Sequence, residues 1–341
     1  MPPEPLERLR FDTQQLIHDF PPQFTNSNKK AVFDKACPRG AVHSGEIEYS
    51  RWDRIEFPSS TADVSSKELE VEVYPDFFTY DPVESGSSNV DWHLNFAHWD
   101  LFCAYPGPLF AQDEMQVAEH PVLGSLREAL IHSGTKPYTV EDGRPTPILI
   151  MGAERRCRIA TEPNAEMGRP YGLYGNNFAS ASREAVLNAT EIIDPPTVSN
   201  IIALEAPAGG YSQTGQAYKE SEIRFILETA YSGFSAARIE SERKVGIGGR
   251  PTVTIHTGFW GCGAYGGNRI LMTLLQLLAA DLAEIDRLVF HAGSSEGVET
   301  FNEALSIFKA EFRSATGPVC VPDILELVHS KGYRWGASDG N

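Results

Sequence analysis

The chain has 341 residues, and 46 acidic against 29 basic side chains give a formal charge of −17 with histidines neutral. With 41% hydrophobic and 22% charged residues it has globular composition and can bury a large core, which excludes a disordered chain. The acidic excess excludes a broad surface for nucleic-acid backbone, but not an anion held by a few local backbone amides.

No apolar run reaches the roughly 18 residues that a membrane span needs. The opening MPPEPLERLRFDTQQ lacks the apolar stretch of a cleavable signal. Cys37, Cys103, Cys157, Cys262 and Cys320 form no CxxC pair and no zinc-ligand spacing, and the histidines show no H-x-x-x-H pattern. We therefore expect an intracellular protein, cytoplasmic or nuclear, monomeric, with free thiols, no metal and no cofactor.

In chain order, PLERLRFDTQQLIHDF carries helix signals and is followed by the polar PPQFTNSNKKA. Residues 1–67 read as an accessory extension, mainly helical, packed on a domain of residues 68–341. ELEVEVY alternates as a strand does, and DWHLNFAH is a second short candidate. GSLREALIHSG reads as a helix stopping at Gly134, and PILIMG as a buried strand. SNIIALEAPA is another buried strand, with a helix over residues 221–234 after it. Then come the strand PTVTIH, a glycine-rich loop, a long helix to about Glu284, the strand RLVFHAG and helices over 300–312 and 321–333. Polar segments 82–89 and 158–180 read as loops near a site. Alternating strands and helices predict an α/β fold with a largely buried sheet.

The most informative stretch is HTGFWGCGAYGGN, with Gly258, Gly261, Gly263, Gly266 and Gly267 between a strand and an apolar helix. Glycines admit positive φ and close approach, and the free N–H groups of a helix start then face whatever anion sits in the loop. A pyrophosphate suits such a loop, and Trp260 and Tyr265 could wall a nucleotide; a tight turn that only packs the helix is the plainer alternative. Gly261-Cys-Gly263-Ala-Tyr-Gly266 also has G-x-G-x-x-G spacing. The following strand lacks the acidic residue of a dinucleotide site, however, and only about 75 residues follow the loop, so a dinucleotide fold is set aside.

The run WGCGAYGG, with the helix and strand after it, resembles the diphosphate loop of the poly(ADP-ribose) glycohydrolase family, whose loop reads G-N-W-G-C-G-A-F-G-G. A second family signature reads roughly V-D-F-A-N, three residues, G-G-G, seven residues, Q-E-E. Leu94 to His98 falls on its start, Phe102-Cys103-Ala104 on the glycines, and Gln112-Asp113-Glu114 on the Q-E-E, without a gap. ILIMGAE, LYGNNF and IIALEA follow in the family's order, so the resemblance covers about residues 68–310. It implies a macrodomain: a mixed central sheet flanked by helices.

The resemblance further implies hydrolysis of O-glycosidic ADP-ribosyl linkages by one acid/base glutamate, Glu114, with Asp113 beside it helping to hold the ribose. Gln112, His98, Asn95 and Tyr174 are the implied substrate contacts. Gly261, Cys262, Gly263, Ala264, Tyr265 and Gly266 form the implied diphosphate loop. The ligand would be ADP-ribose or an ADP-ribosylated macromolecule. Read from the residues alone, adjacent carboxylates raise one another's pKa, yet QDEM before an apolar helix equally complements a helix dipole. The departures are His98 for asparagine, Asn95 for aspartate, Phe259 for the loop asparagine, Ala292 for a stacking phenylalanine, and the lost glycine triplet. Side chains at 102–104 are expected to fill space needed by a polymer's terminal ribose. Three functions follow: a hydrolase of altered specificity, a non-catalytic ADP-ribose reader, or another nucleotide-processing activity. Arg155, Arg156 and Arg158 are a basic cluster that could meet phosphates at the rim or lie in a solvated loop.

Overall fold

Period-two alternation sets the sheet in this computed structural model, which describes residues 3–58, 67–81, 87–245, 249–313 and 320–340. On the strand Thr190–Leu204, Ile202 and Leu204 enter one core while Ile201 and Ala203 enter another. The sheet's eight strands are β1 (Glu7–Asp12), β2 (Glu46–Arg51), β3 (Glu70–Tyr74), β4 (Asn89–Phe96), β7 (Ile148–Ile159), β8 (Thr190–Leu204), β9 (Thr252–Gly258) and β10 (Arg287–His291). β5 (Val140–Glu141) and β6 (Arg144–Pro145) form a separate two-stranded ribbon. The order across the large sheet is β1-β2-β7-β8-β4-β9-β10-β3.

The sheet is mixed. β8, β4, β9, β10 and β3 run parallel, whereas β1, β2 and β7 join antiparallel. The C-terminal ends of the parallel strands therefore share one edge, where open α/β sheets place ligands.

The helices are α1 (Thr13–Asp19), α2 (Ser27–Ala36), α3 (Gln112–Glu119), α4 (Pro121–His132), α5 (Asn177–Ser180), α6 (Arg183–Ala189), α7 (Gly210–Gln213), α8 (Glu220–Val245), α9 (Arg269–Leu282), α10 (Ser295–Phe308) and α11 (Val321–Ser330). α8, α9 and α11 cover one face, burying Trp92, Leu94, Ile255 and the leucines of α9. Each such leucine contributes about 1.5–3 kcal/mol relative to exposure. α1 and α4 cover the other face over Ile148, Ile150 and Ala203.

The expected strands and helices are present, with differences at their ends. The helix expected at 221–234 is the 26-residue α8. The loop expected at 158–180 gives its first residues to β7, and the expected loop at 82–89 falls mostly outside the described residues. The N-terminal extension holds α1 and α2 but also β1 and β2, which pair into the central sheet through β7. Among the described residues no helix is long and apolar enough to cross a membrane.

Candidate active site

β4 ends at Phe96, and its last residues hold the start of α3. The Gln112 side chain accepts from the Phe96 N–H at 2.8 Å and donates to the Leu94 carbonyl at 3.0 Å, clamping helix to strand. The Asn95 amide donates to Asp113 Oδ1 at 3.1 Å, while Asn95 Oδ1 is buried without a partner. Glu114 Oε2 accepts from the Ala111 N–H at 2.9 Å, which is half of a capping box. The dipole-complementing role and the paired acids thus coexist in the same residues.

Asp113 and Glu114 are both buried. Burial pushes both carboxyls above their ordinary range, and the charge of Glu114 raises Asp113 further; Asn95 and Lys29 act in the opposite direction on Asp113. Lys29 comes from α2 in the N-terminal extension. It is buried, donates to the Tyr105 carbonyl at 2.9 Å, and burial lowers it to about 8 while the two acids hold it up. Sequence reading missed Lys29, since nothing in its local pattern marks it.

The turn after β4 directs Phe102 inward. Phe102 adopts φ +57°, a left-handed conformation that favours glycine, yet its side chain is fully buried among Leu101, Tyr105, Leu123 and Leu126. It points into the core. The half-buried His98 accepts from the Asp100 N–H at 3.2 Å and lies 3.3 Å from Cys103 Sγ. Burial lowers His98 and raises the Cys103 thiol to about 11, which keeps that sulfur protonated.

The glycine loop joins β9 to α9, whose first turn is capped by the Asn268 side chain at 3.0 Å from the Leu271 N–H. Gly261 (φ +72°) and Gly266 (φ +69°) take the left-handed turns, and a Cβ on Gly261 would lie 2.5 Å from the Cβ of Ala206. The Gly267 N–H closes the loop on the Gly261 carbonyl at 2.9 Å. Trp260 does not wall a ligand: it is buried in the core and donates to the Leu204 carbonyl at 3.0 Å. Tyr265 faces the site, with its hydroxyl 3.4 Å from Glu205 Oε1 and within the electrostatic reach of Asp113. Burial pushes Glu205 up to about 7, opposed by the Trp99 backbone and Tyr265. A cleft of about 290 Å³ opens beside Glu205, between Ala206, Pro207, Ser221 and Phe225. Cys262 and Ala264 are half-buried in the loop, and burial raises the Cys262 thiol.

Tyr174 stands at the rim, 38% exposed. Its hydroxyl accepts from the Gln112 N–H; enclosure of the phenol, then the charges of Asp339 and Glu114, push it up to about 12. The segment of Tyr174 is tied to the site by the Gly175 N–H donating to the Phe110 carbonyl at 2.8 Å. The structure thus brings together Asn95, Gln112, Asp113, Glu114, Tyr174 and Tyr265 through direct bonds or mutual electrostatic reach. The arginine cluster lies elsewhere. Arg155 is buried against Glu119 and the Tyr80 ring, Arg156 pairs with Glu154, and Arg158 is exposed on β7. Among the described residues no group of three or more His, Cys, Asp or Glu could hold a metal.

Residues 164–300 match the family model described as poly (ADP-ribose) glycohydrolase (PARG), Macro domain fold. Over that segment the chain is similar to the macrodomain of the poly(ADP-ribose) glycohydrolase family. The match takes in Tyr174, β8, the glycine loop and β10, and the acids of α3 lie before it. Among solved structures, the chain is 14% identical to poly(ADP-ribose) glycohydrolase from Deinococcus radiodurans in complex with ADP-ribose, over 87% of this chain and 94% of that one, at TM-score 0.45. A mutant of the enzyme from Thermomonospora curvata is 14% identical over 69% and 79%, also at 0.45. A macrodomain from Oceanobacillus iheyensis with MES bound is 10% identical over 76% and 97%, at 0.38.

Proposed function

We propose that this protein binds ADP-ribose or an ADP-ribosyl group with its diphosphate on residues 261–266, and that it hydrolyses an O-glycosidic ADP-ribosyl linkage with Glu114. The observation that carries the reading is the pair of buried carboxyls at the start of α3, within electrostatic reach of a glycine loop belonging to a family-matched segment. Burial raises the Glu114 carboxyl above its ordinary range, the direction that suits a general acid protonating a leaving oxygen. The same group, once ionised, takes a proton from the incoming water. Asp113, held by Asn95 and raised by burial and by the charge of Glu114, offers a hydrogen-bonding partner for a ribose hydroxyl. Gln112 fixes the helix, Tyr174 offers a phenol at the rim, and His98 an imidazole at the turn after β4.

A second reading, a non-catalytic ADP-ribose reader, is favoured by one observation. Glu114 commits an oxygen to the Ala111 N–H, which is its whole role in an ordinary helix cap. Calorimetric titration of ADP-ribose into wild type and Glu114→Gln tests what both readings share. Binding by both proteins is expected, since the loop is untouched. No binding by folded wild type removes both.

A further inference from the structure

The glycine loop is covered by a segment of its own chain. After α11 the backbone passes Tyr333 and Arg334 along residues 215–218, through the Tyr218 N–H to the Tyr333 carbonyl (3.0 Å) and the Trp335 N–H to the Gln216 carbonyl (2.9 Å). Trp335 is buried and stacks on Tyr218 with centroids 4.1 Å apart. Asn268, the cap of α9, donates to the Arg334 carbonyl at 3.0 Å. From this anchor the chain turns over the loop itself. The Gly336 N–H donates to the Gly266 carbonyl at 2.8 Å, and the Asp339 N–H reaches the Gly263 carbonyl at 3.4 Å. A Cβ on Gly266 would lie 3.1–3.4 Å from backbone atoms of Gly336, Ala337 and Ser338, and one on Gly263 only 3.0 Å from Asp339 Oδ2. The Asp339 charge is also felt by Tyr174, the residue that feels Glu114.

We propose that Asp339 sets which ligands the glycine loop accepts. Its carboxylate stands against Gly263, where the proposed reading puts a diphosphate, and an anionic ligand binds only by displacing residues 337–340. This rests on the diphosphate-loop reading and adds an internal competitor to it. Like charges a few ångströms apart in a partly enclosed site repel strongly, so carboxylate and diphosphate exclude one another. The segment is built to leave without unfolding the domain. Its anchor, Trp335, is buried, whereas Ala337, Asp339 and Gly340 are exposed. An acidic, glycine-flanked stretch of chain thus occupies the loop as an anionic group would, and it selects for ligands that bind tightly enough to replace it.

The test titrates ADP-ribose, inorganic pyrophosphate and uncharged adenosine into wild type, Asp339→Asn, Asp339→Ala and a chain lacking residues 337–341. All four keep Trp335, and thermal melts check that they are folded. Expected is tighter binding of ADP-ribose and pyrophosphate, by about tenfold or more for Asp339→Ala and the shortened chain. Asp339→Asn should fall between these and wild type, and adenosine should not change. Equal or weaker binding of ADP-ribose by the variants, with wild type binding it, overturns the role of Asp339 and leaves the diphosphate loop standing. No binding of ADP-ribose by any of the four overturns the loop reading, and this inference with it.

Discussion

Phe102 shows how a bulky residue can occupy a backbone conformation that favours glycine. The left-handed φ that glycine would take freely costs of order 1 kcal/mol for a bulky side chain, and the ring is used as core. Phe102→Gly would relieve that backbone but leave a cavity among Tyr105, Leu123 and Leu126. A net loss of about 3 kcal/mol is expected in urea unfolding, with ADP-ribose affinity little changed. A gain in stability would mean that the ring does not fill the core. The expectation that this side chain fills ribose space came from its place in the glycine triplet of the resemblance, and a place in sequence does not say which way a side chain points. Lys29 carries a similar lesson. Its position 85 residues before Glu114 gave no hint that α2 delivers a buried cation to the acid pair.

At the scale of elements, the strongest patterns were the most legible. β4, β9, β10 and the buried end of β8 stand out as short strand patterns, and α9 as an unbroken apolar helix after a glycine loop. β1 and β2 were not legible. ERLRFD and EIEYSR carry charges that a helix pattern accommodates equally well, and only their pairing with β7 makes them strands. Within the loop the glycines are not equivalent. Gly261 combines φ +72° with a 2.5 Å approach to Ala206, whereas Gly263 lies outside the left-handed region and its neighbour is a movable carboxylate. Gly261→Val is therefore expected to lower stability by 2 kcal/mol or more (roughly) and to abolish ADP-ribose binding. Gly263→Ala should leave the melting temperature within about 2 °C of wild type. Equal losses in the two variants would contradict this division of roles.

Across the whole molecule, the face of the sheet away from α9 buries histidines. His93 stacks between Tyr80 and His256, both with centroids at 4.4 Å, and His256 Nδ1 is 3.2 Å from His291 Nε2. Burial lowers His93, His120 and His291, to about 3 for His120 and about 4 for His291. A base whose folded pKa is depressed binds fewer protons than in the unfolded chain. Stability is therefore expected to fall as pH drops from about 6.5 towards 4, at up to about 1.4 kcal/mol per pH unit for each group. The acid pair works the other way, because raised carboxyls cost stability as pH rises through their folded range. Melting temperatures at pH 7, 5.5 and 4 for wild type and His291→Phe check the balance. The wild-type loss should exceed that of the variant, and identical slopes would exclude His291 from it.

The site as a whole was partly legible: the glycine loop and the Q-D-E start of α3 stand in sequence, whereas Lys29, Glu205 and Asp339 are added by the fold. The most direct test of the account is release of free ADP-ribose from an ADP-ribosylated protein incubated with wild type or with Glu114→Gln, both shown by titration to bind ADP-ribose. Release by wild type, reduced about a hundredfold or more in the variant, is the expected result. Equal release by the two proteins would contradict catalysis by Glu114, and release by neither would leave ADP-ribose binding as the function of the site.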